Sequence, residues 1–284
     1  MKSTYAAENV DKRVVDAFGD EWKRFDQTDL DEATLLKLFE DYFAIFPWPS
    51  LPLGSVGFDA GCGSGRWAKF VSQRVGHLSC IDASEAAVEV AKTTLSPQEN
   101  CTVYLAQIDN IPLPDSSQDF GYCLGVLHHM PDTLSGLKSC VAKLKPGAPF
   151  LLYLYYALDG RSALYRFVWR ASDMLRRIAS RLPRRPKILF AEVFAALVYW
   201  PLARVSRTVS KVGLNGASLP LGFYADLPFY VMRNDALDRF GTRIEKRFTR
   251  AQVRDLMAAA GLDEISFSER APYWCAVGYK MHRD

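Results

Sequence analysis

A chain of 284 residues, 49% apolar and 24% charged, has the composition of a folded protein with a sizeable core and not of a wholly disordered chain. Its net charge of +3 is too small to name a nucleic-acid partner, but it is unevenly spread. Gly160 to Lys211 holds twelve Arg or Lys against Asp173 and Glu192, a local balance of +10 that leaves the rest of the chain at −7.

Six scattered cysteines (62, 80, 101, 123, 140 and 275) contain no CxxC, so no metal site is expected and reduced cytoplasmic thiols are the default. The N-terminus lacks a signal-type apolar segment. The longest apolar stretch, Ile188 to Ala203, is interrupted by Glu192 and Pro201 and is shorter than the roughly 20 residues a spanning helix needs.

In chain order, residues 8–46 read as helices. Val14, Val15, Phe18, Trp22 and Phe25 recur at helical intervals before PWPSLPLG ends the section. Short apolar runs then alternate with helical stretches. Strands are predicted at 55–60, 77–84, 101–107, 119–126 and 149–156, with helices at 66–74, 85–94 and 134–144 between them. That rhythm implies an α/β fold with a mainly parallel sheet covered on both faces.

Beyond 157 the pattern breaks. Residues 158–240 are basic and aromatic, with helical periodicity at 161–181 and 188–210 separated by LPRRP. They form an inserted helical cap, which either completes the core or also recognises substrate. A helix at 249–260, opened by Thr249, precedes strands at 264–270 and 273–281. Their short connection requires the last strand to run antiparallel. The division is therefore 1–50, N-terminal helical cap; 51–157, cofactor-binding core; 158–240, inserted region; 241–284, end of the core with its closing hairpin.

The chemistry starts at VGFDAGCGSG. Gly61, Gly63 and Gly65 let the chain turn sharply at a strand end and approach a ligand closely. A dinucleotide turn is spaced GxGxxG and receives a diphosphate. Here the spacing is GxGxG, and the preceding Asp59 repels a diphosphate but suits a cationic amine or sulfonium. Asp82, ending the second predicted strand, can accept hydrogen bonds from both hydroxyls of a ribose. Its alternative reading is a solvated strand end, with Ser84 the better helix cap.

FDAGCGSG, CIDAS, AQIDNIPLPDSSQDFGYCLGVLHHMPD, LKPGAPFLLYLYY and the ending AGLDEISFSERAPYWCAVGYKM together resemble the seven-stranded, Rossmann-like class I S-adenosylmethionine-dependent methyltransferases. Within them the chain is most similar to the ubiquinone-biosynthesis-like small-molecule enzymes. The resemblance covers 55–157 and 249–281. It implies S-adenosyl-L-methionine as cofactor, with Asp59 and the Gly61–Gly65 turn on its methionyl part, Asp82 on the ribose and Ala83 against the adenine. It further assigns Gln107, Ile108 and Gly125 to the cofactor, with Asp109 an alternative to Gln107 at the adenine amino group.

Methyl transfer from a sulfonium needs alignment and dryness more than a metal. A base would serve a hydroxyl or protonated-amine acceptor. His129, and less so His128, follow the fourth predicted strand at the edge where α/β sheets bind ligands. Tyr155 and Tyr156 end the fifth strand there, to orient an acceptor or wall the pocket. Trp22 and Phe25 could fold over the cofactor. Arg66 could approach the cofactor carboxylate but reads rather as a solvated first-turn side chain, and Cys62 as a small filler.

The expected acceptor is hydrophobic or amphipathic: a quinone, a lipid-linked glycan precursor or a secondary metabolite. The basic, aromatic 160–211 region could lie at a membrane surface or equally bind an acidic small molecule, whereas no nucleic-acid module accompanies it. Two other classes stay in play, a nicotinamide oxidoreductase on a related sheet and a non-catalytic cofactor-binding subunit.

Overall fold

The computed structural model describes residues 9–27, 29–158, 163–216 and 219–282. Seven strands form one sheet: β1 (Val56–Ala60), β2 (His77–Asp82), β3 (Cys101–Leu105), β4 (Phe120–Leu124), β5 (Pro149–Tyr153), β6 (Leu262–Phe267) and β7 (Cys275–Lys280), in the order β3-β2-β1-β4-β5-β7-β6. The first five are parallel, and β7 runs antiparallel to both β5 and β6. The predicted parallel core and antiparallel ending are thus both present. The strand order reverses between β1 and β4, so the carboxyl ends of these strands open a crevice.

The central strands read as continuous apolar runs because both faces are covered. Phe43, Trp67, Phe70, Phe120, Tyr122 and Leu151 share one core layer, and Phe58, Ile81, Leu137, Phe150, Val253 and Met257 the other. Small residues face large ones between β1 and β4. Gly57 pairs with Phe120 and Phe58 with Gly121, and a Cβ on either glycine would lie within 2.4 Å of the opposing ring.

Ten helices surround the sheet among the described residues. The N-terminal pair, α1 (Lys12–Arg24) and α2 (Glu32–Tyr42), is capped by Asp11 and Asp31, which accept hydrogen bonds from the backbone of Arg13 and Thr34. The crossover helices are α3 (Ala68–Val71), α4 (Glu85–Thr94), α5 (Thr133–Lys143) and α10 (Arg250–Ala259). Ser84 caps α4, and Thr249 with Gln252 forms a capping box on α10.

Between β5 and β6 lie α6 (Ala163–Ala179), α7 (Arg184–Phe194), α8 (Trp200–Lys211) and α9 (Phe229–Gly241). The expected start of the first of these, at 161–162, lies outside the described residues. Helix α7 begins at Arg184, earlier than expected, because Pro186 falls in the first turn, where a missing N–H costs nothing. A five-residue π segment, 195–199, joins α7 to α8, and Pro201 follows at this change of hydrogen-bond register. Helix α9, which the sequence reading did not separate from its surroundings, packs on α1, α6 and α7. Its Met232, Ala236 and Phe240 form a third core with Phe25, Ala195 and Tyr199.

Candidate functional site

A cavity of about 610 Å³ opens where β1, β2, β4 and β5 end, walled by α1 on one side and by α6, α8 and α9 on another. That size suits a small-molecule site. Gly61, Asp82, Ala83, Ser84, Ile108 and Gly125 line one end of it.

The glycine turn has the backbone that requires glycine, with φ of +80° at Gly61, +55° at Gly63 and +76° at Gly65. Trp22 of α1 lies on the turn, and a Cβ on Gly63 would come within 2.7 Å of its indole. Gly125 also has positive φ, +82°, and a Cβ there would meet nothing within 4 Å. The space in front of it belongs to the cavity.

Asp82 is held by two backbone N–H groups: Gly63 donates to Oδ2 and Ser84 to Oδ1, both at 2.9 Å. Each carboxylate oxygen can accept a further hydrogen bond, and the residue lines the cavity. Burial raises its pKa, while these N–H donors pull the other way. Asp59 lies deeper. It is 2% exposed, does not line the cavity, and its Oδ2 has no hydrogen-bond partner among the described residues. Burial pushes its carboxyl well above the usual range.

Ile108 reaches the cavity, but Gln107 lines a neighbouring groove with Ala83 and Leu105. Asp109 is exposed and takes a hydrogen bond from Asn9 Nδ2 at 3.4 Å.

The two histidines are separated by the fold. His128 is fully buried, its ring 3.8 Å from that of Tyr155 and both nitrogens without a hydrogen-bond partner among the described residues; it does not line the cavity. Burial drives its pKa well down. His129 does line the cavity. Its Nδ1 lies 2.6 Å from the Ile244 carbonyl, an acceptor only, so this nitrogen carries the proton and Nε2 the lone pair. Burial pushes its pKa down to about 4.

Opposite His129 stands a carboxylate that the sequence reading missed. Asp238 Oδ1 on α9 is 3.6 Å from His129 Nε2, and Tyr155 donates its hydroxyl to Asp238 Oδ2. Burial raises Asp238 to about 7. Asp235, one turn earlier, accepts the Tyr224 hydroxyl at 2.7 Å and is raised by burial to about 6. Glu21 of α1 is buried nearby and bound by Asn234 Nδ2 at 3.2 Å.

The signal for α9 was present but unread. Asn234, Asp235 and Asp238 fall at helical spacing within a segment whose neighbours Val231, Met232 and Leu237 are core residues, an arrangement unusual for a solvated face.

Arg66 is not a solvated side chain. It lines the cavity, with its guanidinium 5.3 Å from the ring of Trp22 and 4.3 Å from that of Trp67. Of the two aromatic residues expected over the cofactor, Trp22 lines the cavity and Phe25 does not, being buried against Tyr230. The Tyr156 ring packs near Tyr273 and Trp274 as part of the wall.

A methyltransferase domain model matches residues 58–152, the segment that carries the glycine turn, Asp82, Gly125 and His129. Over this segment, a third of its length, the chain is similar to S-adenosylmethionine-dependent methyltransferases of class I. A ubiquinone biosynthesis O-methyltransferase of Alkalilimnicola ehrlichii is 36% identical over 92 residues, 31% of this chain and 37% of the relative. A demethylmenaquinone methyltransferase of Staphylococcus epidermidis is 34% identical over 97 residues, 33% of this chain and 40% of the relative. The matched region spans less than half of these relatives.

The seven-stranded methyltransferase fold itself extends further. The Burkholderia thailandensis 1,6-didemethyltoxoflavin-N1-methyltransferase, solved with its substrate and S-adenosylhomocysteine, superposes over 95% of this chain and 88% of its own, with a TM-score of 0.56 at 14% identity. A methyltransferase solved with the Haloferax volcanii Trm112 activator covers 94% and 99%, with a TM-score of 0.53 at 14% identity. S-adenosylmethionine is the methyl donor typical of the family. The residues here fit it: a glycine turn at a strand end, an oriented carboxylate one strand over, and open space before Gly125.

Proposed function

We propose that this protein methylates a small, largely apolar acceptor carrying an ionisable hydroxyl or amine, using S-adenosylmethionine. In this reading Asp82 takes the ribose hydroxyls, Ala83 and Ile108 flank the adenine, and Gly61–Gly65 with Gly125 make room for the methionyl part. The donor, when bound, supplies a methyl group on a cationic sulfur that leaves as a neutral thioether.

The observation that carries the reading is the Tyr155–Asp238–His129 cluster facing the same cavity as the glycine turn. Tyr155 orients Asp238 by its hydroxyl, leaving Oδ1 without another hydrogen-bond partner among the described residues. With a pKa of about 7, Asp238 is matched to neutral pH as a base, whereas His129 at about 4 is a weak one. Asp238 Oδ1 would therefore receive the acceptor's proton, and His129 Nε2, 3.6 Å away, offers a lone pair to share it. Tyr165, Trp169, Phe194, Tyr199 and Tyr224 line the rest of the cavity, so the acceptor's body meets mainly aromatic surface.

The division of labour follows: the 51–157 core holds the donor, and the 158–240 helices close over the acceptor. Calorimetric titration with S-adenosylmethionine and with NAD tests the first half, and binding of NAD alone would overturn it. Incubation with labelled donor and a cell extract, followed by mass spectrometry of the labelled product, tests the second. Label found only in protein or nucleic acid would remove the small-molecule acceptor.

A further inference from the structure

We infer that the outer face of α6, α7 and α8 is a docking surface for an anionic lipid bilayer, in which these helices lie in the plane of the headgroups. Helices α7 and α8 with their π segment form one helix of 28 residues, Arg184–Lys211. By length and composition it could cross a membrane, yet only 22% of its most apolar window is buried in the protein.

Its two sides differ sharply. The inner side is fastened to the fold: Ala191, Ala195, Tyr199 and Ala203 are buried, and Ser206 Oγ donates to the Gly216 carbonyl at 2.7 Å. Glu192 binds Arg233 at 2.6 Å and Arg24 at 2.7 Å, tying α7 to α9 and α1. A crossing helix would have to break all of these. An in-plane helix keeps them.

The outer side repeats large apolar residues at helical spacing. Leu189 is 64% exposed, Val193 47%, Leu197 71%, Trp200 47% and Val205 52%. Phe167, Met174 and Ile178 of α6 are likewise more than half exposed. Apolar surface on this scale marks an interaction site. Its occupant follows from charge. Arg181 and Arg185 are exposed at the α6–α7 turn and Lys211 at the far end, within a region whose formal balance is +10; Arg184 and Arg207, also exposed, pair with Asp20 and Asp226. Apolar side chains rimmed by arginine match an acyl surface under anionic headgroups, with the helix sunk part of its thickness.

Leu202 and Phe223 both line the cavity and are 40% and 39% exposed, so the cavity has an open edge beside α8.

Vesicle sedimentation of the full chain tests the docking, using phosphatidylcholine with and without phosphatidylglycerol. The parent protein should sediment with the anionic vesicles and far less with the neutral ones. L197D with W200D should lower partitioning by at least about tenfold, since burial of one such side chain is worth that much. Arg185→Glu with Lys211→Glu should reduce it by a similar factor at low salt. Circular dichroism and S-adenosylmethionine titration of each variant show whether the fold and donor site are retained.

Absence of binding to either vesicle, or equal binding by parent and L197D/W200D, would overturn the inference. So would analytical ultracentrifugation that finds a dimer dissociated by L197D/W200D, because the face would then be covered by a second copy. A variant that loses vesicles but keeps donor binding separates failure of docking from failure of the catalytic reading.

Discussion

Asp238 of α9 and His129 after β4 meet in the cavity wall, Oδ1 to Nε2 at 3.6 Å, one supplied by the inserted helices and the other by the sheet core. Neither has an ordinary environment. Burial raises the carboxyl to about 7 and lowers the imidazole to about 4, so near neutral pH a proton entering the pair rests on Asp238.

A pH profile follows from that ordering. A base works when deprotonated, so kcat/KM with a hydroxyl acceptor should rise with pH up to about 7 and level above it. Asp238→Asn should lower kcat by about 10²–10⁴-fold and leave S-adenosylmethionine affinity nearly unchanged. A profile centred near 4, lost in His129→Ala instead, would hand the role to the histidine.

The same substitution should stabilise the protein. Asp238 titrates higher in the folded state than the ordinary 3.8, so the folded form binds the proton more tightly and loses stability as pH rises from about 4 to about 7. Asp238→Asn removes that cost. Its melting temperature should exceed the parent's at pH 8, with the difference shrinking toward pH 5. A variant less stable at every pH would mean that the Tyr155 contact outweighs the buried charge.

Asp82→Ala should weaken S-adenosylmethionine by at least about tenfold, because a hydrogen bond to a charged group contributes about 1.5–3 kcal/mol. It also frees the N–H groups of Gly63 and Ser84, so Asp82→Asn is the companion variant that keeps an acceptor for one of them. Unchanged affinity in both by calorimetry would place the ribose elsewhere.

Gly125→Ala separates folding from binding. Its φ of +82° makes any side chain strained, by about 1–2 kcal/mol, yet the added Cβ has open space. Denaturant melts should show that modest loss, whereas donor affinity should fall further because the methyl enters the cavity. A loss confined to stability would move the donor away from β4.

The strand positions, the antiparallel ending and the glycine turn were legible in the sequence because they are local. Period-2 and continuous apolar runs place β1 to β5, and GCGSG can only be a tight turn with positive φ at the glycines. The same local logic found Asp82, which ends its strand, and His129, which follows another.

What the sequence could not rank was orientation. His128 and His129 are adjacent, yet one ring points into the core against Tyr155 and the other into the cavity. Gln107 and Asp109 flank Ile108, but only Ile108 reaches the cavity.

The Asp235–Asp238 side of the cavity depended entirely on long-range packing. Asp235 and Asp238 sit on a helix with no motif, and their raised pKa values come from burial, a property of neighbours far away in the chain. Arg66 looked solvated until α1 brought Trp22 beside it. The sequence by itself determined the sheet, its antiparallel ending and the glycine turn, since these follow from contacts between residues near one another or from backbone sterics. The partner of His129 and the outward turn of the α6–α8 apolar face were decided only by tertiary structure, because burial and proximity across the insertion have no local signature.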